Sequence, residues 1–458
     1  MSVSTKHPQY EQIQKDWQLM QDSLATGQQI KNKATAYLPK TSGMREAEIN
    51  ANSDDAVITS EQARQLYEAY KERAVYPLWV KDGLRTMMGL LAKQELDIVL
   101  PKRIEGLLQS ATSDGHDLKQ LWLRTCVALL TKGRAPLVAD YDDNAEPYIS
   151  EYSAESAINW KQSSVEGRQD LILAVFEEQQ QDGDIYSHKT KKVYRVFSLE
   201  DGQAVSRLLT EDEAEIEFEY IGNQVGESIS PLDFLPVLYA GTTDNNPDVD
   251  EIPLLSMALA AIKYYQLSAD YYTSMHYTSH PQPVITGAGD AELRVTGPMA
   301  AWDLPEGASA FYLEFTGAGI EAIRLAMTDQ HHAAIEAGAK VMDVGAESGE
   351  ARKTRQDDQH MTLYGVAKQA AAAIEQVAKY LAQWQGINPD EVKIDIEPKF
   401  TRKDVDAAML TMIGNLVLSG ELSNKVLYEA LRKAGLTEYT DVELDALREG
   451  GDLGYGEE

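Results

Sequence analysis

Cysteine is nearly missing from this chain: Cys126 is the only one in 458 residues. That excludes an intrachain disulfide, a cysteine-rich zinc site and an iron–sulfur cluster held by one subunit. Long apolar runs are missing too. No stretch approaches the ~18–20 apolar residues that cross a bilayer. The opening residues, MSVSTKHPQYEQIQKDW, carry no apolar segment of the signal-peptide kind. The expectation is a soluble, intracellular chain with no membrane partner. Positive charge is the third scarcity. Lys and Arg number 42 against 73 Asp and Glu, a formal net charge of −31, which excludes a basic nucleic-acid footprint over the whole surface. What remains is ordinary for a folded protein. A composition of 43% hydrophobic and 8% aromatic residues argues against global disorder, and the length allows about three structural units.

The charge deficit is uneven. Residues 136–250 hold 25 acidic and 7 basic side chains, a net of −18 that is over half the total. Two readings stand: an acidic surface that solubilises the chain, or one built not to hold a polyanion passing close by.

The N-terminal part reads as helical. Ile13, Trp17, Met20 and Leu24 fall at helical spacing. Ser60 is placed to cap a helix carrying Leu66, Tyr67, Tyr70 and Ala74, which Tyr76-Pro77 interrupts before residues 78–92 resume it. Residues 117–132 form a mostly apolar helix that Gly133 ends, with Cys126 an inert core thiol inside it. The pattern then changes. Residues 171–176 (LILAVF), 192–199 (KVYRVFSL) and 215–220 (EIEFEY) read as strands, with turn signals at 181–184 and 200–202. Residues 153–160 (SAESAINW) read as helix-like. The alternation in EIEFEY predicts an antiparallel sheet with one wet face.

Residues 253–279 run for 27 positions with no breaker after Pro253, a helix of about 40 Å. Leu255, Leu259 and Ile262 step by four and three, and Ala261 and Tyr265 lie in the adjacent stripe. An apolar girth of this kind asks for neighbours on several sides. Residues 282–315 return to strands and turns, and residues 319–340 to a helix. Residues 343–353 are small and polar and read as a loop, after which Thr354, with Asp357 in a capping-box arrangement, opens a second long helix that runs to Trp384. Residues 393–400 alternate as a strand. From Asp404 the chain is helical, ending in a polar tail.

Catalytic patterns fail on inspection. Around Gly345 and Gly349 a phosphate loop is only superficial, since Glu350 stands where the phosphate-facing lysine belongs. The pairs Gly287/Gly289 and Gly317/Gly319 read as turns. His331 and His332 are adjacent and diverge on a helix, and no second helical histidine completes a zinc motif. No metal or other cofactor is expected.

What stands out is an order of parts: a long helix, a small β insertion, a returning helix, a short polar segment and another long helix. In that order the chain resembles the portal proteins of tailed bacteriophages, and among them a family labelled only as a conserved phage domain. The stretches that carry the resemblance are TKGRAPLVADY with PYISEYSAESAINW, then IPLLSMALAAIKYYQLSADYYTSMHYTSHPQPVITG, then SGEARKTRQDDQH, LAQWQGI, VKIDIEPKF and LVLSGELSNKVLYEALRKAGL. They span roughly residues 63–436, and their order is more specific than any one of them.

The resemblance implies an α+β subunit with a helical stem, a β-rich wing, a small β clip and a helical crown. On this chain the parts fall as an N-terminal helical part of the wing at 1–135, the β-rich wing at 136–250, the first stem helix at 251–280, the clip at 281–318, the second stem helix at 319–340, the tunnel loop at 341–353, a long helix and wing strand at 354–402, and the crown at 403–458. It implies a non-enzymatic ring, usually of twelve subunits, at one capsid vertex of the virion, assembled in the host cytoplasm, with double-stranded DNA packaged and ejected through it. The terminase large subunit, head–tail adaptors, and the major capsid and scaffolding proteins are the implied partners. Glu347, Glu350, Arg352, Lys353 and Arg355 would belong to the tunnel segment, and Asp329, His331 and His332 to the channel or intersubunit face of the second stem helix. Leu255, Leu259, Ala261, Ile262 and Tyr265 would pack the stem between copies. An acidic metal-dependent hydrolase and a monomeric or dimeric scaffold-type adaptor stay open as alternatives.

Overall fold

The computed structural model describes residues 2–52, 59–142, 144–165, 168–183, 186–225, 228–279, 282–287, 307, 309–313, 317–338, 349–397, 407–433, 437 and 439–448. The fold is α+β, and the chain divides into two compact units, Met1–Ile396 and Glu397–Glu458.

The first unit opens with helices, each started by its sequence. α1 (Pro8–Leu24) has proline in its first turn and the His7 ring accepting from the Gln9 amide. α2 (Gly27–Asn32) starts from a capping box between Thr26 and Gln29, and α3 (Ser42–Ala51) from the Thr41 hydroxyl. α4 (Ser60–Arg73) is capped by Thr59 with Gln62 reciprocating, so the capping hydroxyl lies one residue before the expected Ser60. α5 (Trp79–Leu91) follows the Tyr76-Pro77 break, and a short strand, β1 (Asp97–Val99), follows it. In α6 (Leu118–Lys132) the Asp117 carboxylate accepts from the Gln120 amide at 2.7 Å. Gly133 ends α6 at φ 69°, where a Cβ would sit 2.6 Å from the Asp250 carbonyl oxygen, so only glycine fits. Cys126 is buried in this helix and burial pushes its thiol up, which makes it unreactive.

The β-rich part runs β2 (Arg134–Tyr141), β3 (Pro147–Glu151), β4 (Ala157–Val165), β5 (Arg168–Asp182), β6 (Lys189–Glu200), β7 (Gln203–Thr210), β8 (Glu215–Tyr220), β9 (Gly222–Val225), β10 (Ser228–Pro231) and β11 (Val237–Gly241). β11-β2-β3 form one antiparallel sheet, β4-β5-β6-β7-β8 a second, and β9 and β10 a hairpin. Two expectations are corrected here. The helix-like segment is a turn leading into β4: Ala157 pairs with Phe176 and Trp160 with Ala174. Ala157, Ile158 and Trp160 are all buried, so the two-residue alternation that marks a half-wet strand is absent and periodicity misleads. β8 was expected to have one wet face, yet all six of its residues are exposed. The turn between β6 and β7, by contrast, is as expected: Asp201 and Gly202 both take positive φ, 51° and 78°, the geometry of a tight hairpin.

Arg134 joins these layers. Its guanidinium is fully buried, 3.9 Å from the Trp160 ring centre and 4.1 Å from that of Tyr239. His7 stacks on the far side of the assembly, its ring 4.0 Å from Trp160. The guanidinium nitrogens have no acceptor in hydrogen-bonding geometry among the described residues. Burial lowers its pKa only to about 10, so it stays charged at neutral pH. Two desolvated cation–π contacts are worth about 2 kcal/mol each, against a desolvation cost of several kcal/mol. The pair of rings makes the burial tolerable and fixes where β4 and β11 meet the end of α6.

The long elements follow: α7 (Leu255–Thr278), the strand pair β12 (Gln282–Thr286) and β13 (Ser309–Leu313), α8 (Ala318–Glu336), α9 (Gly349–Trp384) and β14 (Lys393–Asp395). β14 pairs with β1 and with neither of the large sheets. From Leu363 to Ala382, α9 buries Val366, Ala370, Ile374, Val377 and Leu381. It is tied to α6 by the Trp122 indole donating to the Ala367 carbonyl at 3.0 Å, and to β2 by the Tyr141 hydroxyl donating to the Leu381 carbonyl at 2.8 Å.

The second unit holds α10 (Ala407–Leu418), α11 (Asn424–Lys433) and α12 (Asp441–Arg448). The Tyr428 hydroxyl donates to Asp445 at 2.7 Å across the last two. The expected polar tail lies outside the described residues.

α7 is the centre of the helical core. Ala261, Tyr265 and Ala269 sit fully buried against Tyr67, Tyr70, Ala74 and Tyr76. This overturns the expectation that Ala261 and Tyr265 pack between copies: they pack within one chain. Ala261→Arg would force a long cation into that cluster, so it should destabilise the subunit by more than about 3 kcal/mol, seen as a lowered urea midpoint followed by tyrosine and tryptophan fluorescence.

Glu151, on β3, offers a pH test. Burial raises its carboxyl to about 7, with Arg124 opposing and Asp114 adding to the shift. The folded chain therefore binds a proton there that the unfolded chain has released, and stability falls as pH rises from about 4.5 through about 7. Glu151→Gln should remove that loss, worth about 3 kcal/mol at pH 8, read as a higher urea midpoint than the wild type at pH 8 and an unchanged one at pH 4.5.

Candidate functional site

The run from α7 to α9 gathers most of the residues singled out by the sequence. α7 opens without a side-chain cap; its anchoring comes from Ile252 and Leu254, both buried, with the Leu254 amide donating to the Leu130 carbonyl at 3.3 Å. The helix begins two residues after Pro253 and stops at Thr278, slightly inside the expected limits.

Its inner face is made of small residues. The Ser268 hydroxyl accepts from the Val75 amide at 2.8 Å and donates to the Tyr265 carbonyl at 2.7 Å. Val75 lies in the break between α4 and α5, where Pro77 leaves backbone groups without helical partners. The Tyr70 hydroxyl donates to Asp270 at 2.7 Å, and the Gln266 amide to the Tyr37 carbonyl at 2.9 Å. Burial and the Asp270 carboxylate push the Tyr70 phenol far above its ordinary range, so it remains a donor.

α8 returns alongside α7. Leu254, just before α7, and Gly338, just after α8, come together beside Met87 and Met257, so the two helices run antiparallel. Trp79 bridges them, its ring 5.0 Å from Tyr264 of α7 and 5.3 Å from His331 of α8. β12 and β13 close the far end of the pair, Thr286 opposite Ser309 with their hydroxyls 2.9 Å apart. A cleft of about 660 Å³ lies at the near end, lined by Met87, Leu254, Glu251, Gly338, Leu363 and Val366. The end of α8 and the middle of α9 both line this cleft.

The outer surface of these helices carries apolar side chains set among polar ones. Leu259 is 53% exposed, Leu325 of α8 is 52% exposed and Met361 of α9 is 69% exposed. Tyr272, Met275 and Tyr277 add further exposed apolar surface toward the β12–β13 end. Leu255 and Ile262 are half-buried, with Ile262 against the α4–α7 core. Of the residues expected to pack the stem, Leu259 alone turns fully outward.

On α8, Asp329 and His332 are exposed. His331 is also exposed at its edge but packs on Trp79, and its ring is 6.2 Å from that of His332. Among the described residues no three His, Cys, Asp or Glu side chains are grouped to hold a metal. The expected tunnel loop needs a correction. α9 begins at Gly349, so Glu350, Arg352, Lys353 and Arg355 are on its first turns and not in a loop, and Thr354 is inside the helix. Gly349 hides this from a pattern reading, since glycine favours turns but is tolerated at the start of a helix. Glu347 lies outside the described residues. Leu325 and Met361 escaped the sequence reading because a helix that is apolar on more than one side does not declare which side its own chain covers.

Several solved structures are similar to this chain. A chain of the neck of an empty gene transfer agent (GTA) particle, computed with C6 symmetry, is 11% identical with a TM-score of 0.43, covering 78% of this chain and 90% of that one. A chain of the virion of a native GTA particle is 12% identical with a TM-score of 0.38, covering 82% and 90%. An HK97 family phage portal protein from Corynebacterium diphtheriae is 11% identical with a TM-score of 0.30, covering 71% and 96%. No curated protein matches the chain. Residues 253–385 match the family model described as "Domain of unknown function (DUF4055)", and that match spans α7, the β12–β13 pair, α8 and α9.

Proposed function

We propose that this chain is the subunit of a ring-shaped portal at one capsid vertex, through which double-stranded DNA is packaged and ejected. The observation that carries the reading is the division of α7: small residues on one face lock it into its own subunit, while Leu259 on another face and Leu325 on α8 are left to solvent. A monomer gains nothing from that surface. Neighbouring copies in a closed ring would cover it on every subunit at once.

The remaining parts take roles from the portal resemblance. α7 and α8 are the stem helices, the β12–β13 pair between them belongs to the clip that meets the terminase large subunit and later the head–tail adaptors, and the acidic sheets of residues 136–250 form the wing. The second unit is the crown, and the surface around the ring meets the capsid and scaffolding proteins. The segment between α8 and α9, with Glu347, and the first turns of α9, with Glu350, Arg352, Lys353 and Arg355, line the tunnel, and Asp329, His331 and His332 face the channel or the next subunit.

Charge supports the same reading. DNA that must slide cannot be bound tightly, because each neutralised phosphate adds to the affinity through counterion release. A subunit of net charge −31 repeated around a ring gives a repulsive wall. A few cations at the start of α9 suffice to centre the duplex.

Mass photometry and negative-stain microscopy of the purified chain in moderate salt should find rings of about twelve copies with a central hole. Leu259→Asp combined with Leu325→Asp should abolish the rings while keeping the thermal midpoint of the subunit within about 3 °C, since both residues are exposed in the monomer. A compact monomer or dimer that forms no ring at any concentration would overturn the proposal.

A further inference from the structure

The five-stranded sheet ends on an unusual edge. β8 pairs with β7 from Val205 opposite Tyr220 to Leu209 opposite Glu215, and among the described residues no strand pairs with its other side. Alternate amides and carbonyls along that side have no partner strand. Natural sheets blunt such edges with proline, lysine or a covering element. β8 has neither proline nor lysine, although the end of β10 lies against it and a register shift interrupts its pairing with β7 at Leu208/Leu209. Phe218 and Tyr220, 41% and 43% exposed, share one face with Glu215, and Glu217 and Glu219 occupy the other.

The carboxylate face is short of cations. Glu217 lies 3.6 Å from Arg195, but that guanidinium already donates to Glu178 at 3.1 Å. Glu219 borders a cleft of about 850 Å³ whose lining includes Asp140, Glu178, Tyr148, Tyr152 and Arg195. Tyr148 donates to Asp140 at 2.8 Å and Tyr152 to Glu178 at 2.9 Å. Burial raises the carboxyls of Asp140 and Glu219 above their ordinary range, the condition of carboxylates that would gain from an added positive charge.

We propose that the open edge of β8 is a docking strand for an extended, basic segment of a partner polypeptide. The segment adds a sixth strand by backbone pairing, sets lysines or arginines over Glu217 and Glu219 at alternate positions, and lays its intervening apolar residues along Phe218 and Tyr220. Charge selects this occupant over a second copy of the chain. Two β8 edges would set glutamate against glutamate, and the opposite edge of the same sheet, β4, carries one cation, Lys161. The inference rests on β8 and its cleft and is independent of the ring.

The probe is a short fluorescent peptide of alternating lysine and valine, titrated into the full chain and followed by anisotropy. Saturable binding is expected. Methylating every second peptide amide nitrogen should weaken it roughly tenfold, because the backbone donors are lost. Glu217→Lys with Glu219→Lys should also weaken it roughly tenfold, whereas Glu46→Lys, at an exposed site on α3, should leave it unchanged. The proposal is overturned if no saturable binding is found, if the methylated peptide binds equally well, or if Glu46→Lys weakens binding as much as the double variant. It is also overturned if the native mass of the unliganded chain falls on Phe218→Lys, since the edge is then occupied by a second copy. The methylated peptide tests the wild-type protein, so the result does not hang on any variant folding.

Discussion

The small-residue face of α7 is the constraint to which the rest of the helical core conforms. Ala261, Ser268 and Ala269 let the helix approach α4 and α5 closely, and Tyr67, Tyr70 and Tyr76 fill the space around them. The break at Pro77 frees backbone groups, and Ser268 satisfies them from the facing helix. Packing of this kind has no spare volume, so the face is committed to the subunit. Any larger-scale role must use what is left over: the side that carries Leu259, and the outward surface of α8.

The β-rich part solves a different problem. Its interior holds a charge, Arg134, set against two aromatic rings with a histidine stacked beyond them, and these define how the layers join. Its exterior is crowded with carboxylates. Several of these are held in cross-strand pairs, as with Lys192 and Glu177 at 2.8 Å or Arg207 and Glu200 at 2.8 Å. Exposed pairs of this sort add little stability. Their consequence is a patterned negative surface, uneven enough that one strand edge differs from the rest.

Much of this was legible in the sequence where a local signal decided the outcome. Asp117 and Gly133 bracket α6, Pro77 separates α4 from α5, Asp201-Gly202 makes the β6–β7 turn, and the helix–hairpin–helix order of α7 to α8 follows from where the breakers fall. Reading failed where partners far along the chain decide. Ile158 and Trp160 become a strand because Phe176 and Ala174 lie beside them. Ala261 is internal and Leu259 external although both are apolar and two residues apart, since only the position of α4 distinguishes them. The start of α9 was missed because glycine favours turns but is tolerated at the start of a helix. For the candidate site, the sequence pattern outlines the helices but does not say which of their residues their own chain covers.

The bond between Tyr70 and Asp270 joins residues 200 positions apart. A ribosome adding roughly 5–20 residues per second takes on the order of 10–40 seconds to deliver α7 after α4 has emerged. Through that interval Tyr67, Tyr70 and Ala74 have only N-terminal neighbours such as Ile30 and Leu38, and the whole acidic β-rich part is synthesised before their cover from α7 arrives. The N-terminal helices therefore wait as an open apolar platform on the nascent chain. Their strong caps at Thr26, Thr41 and Thr59 hold local structure in the meantime, and the negative charge of residues 136–250 keeps neighbouring nascent chains apart until α7 closes the core.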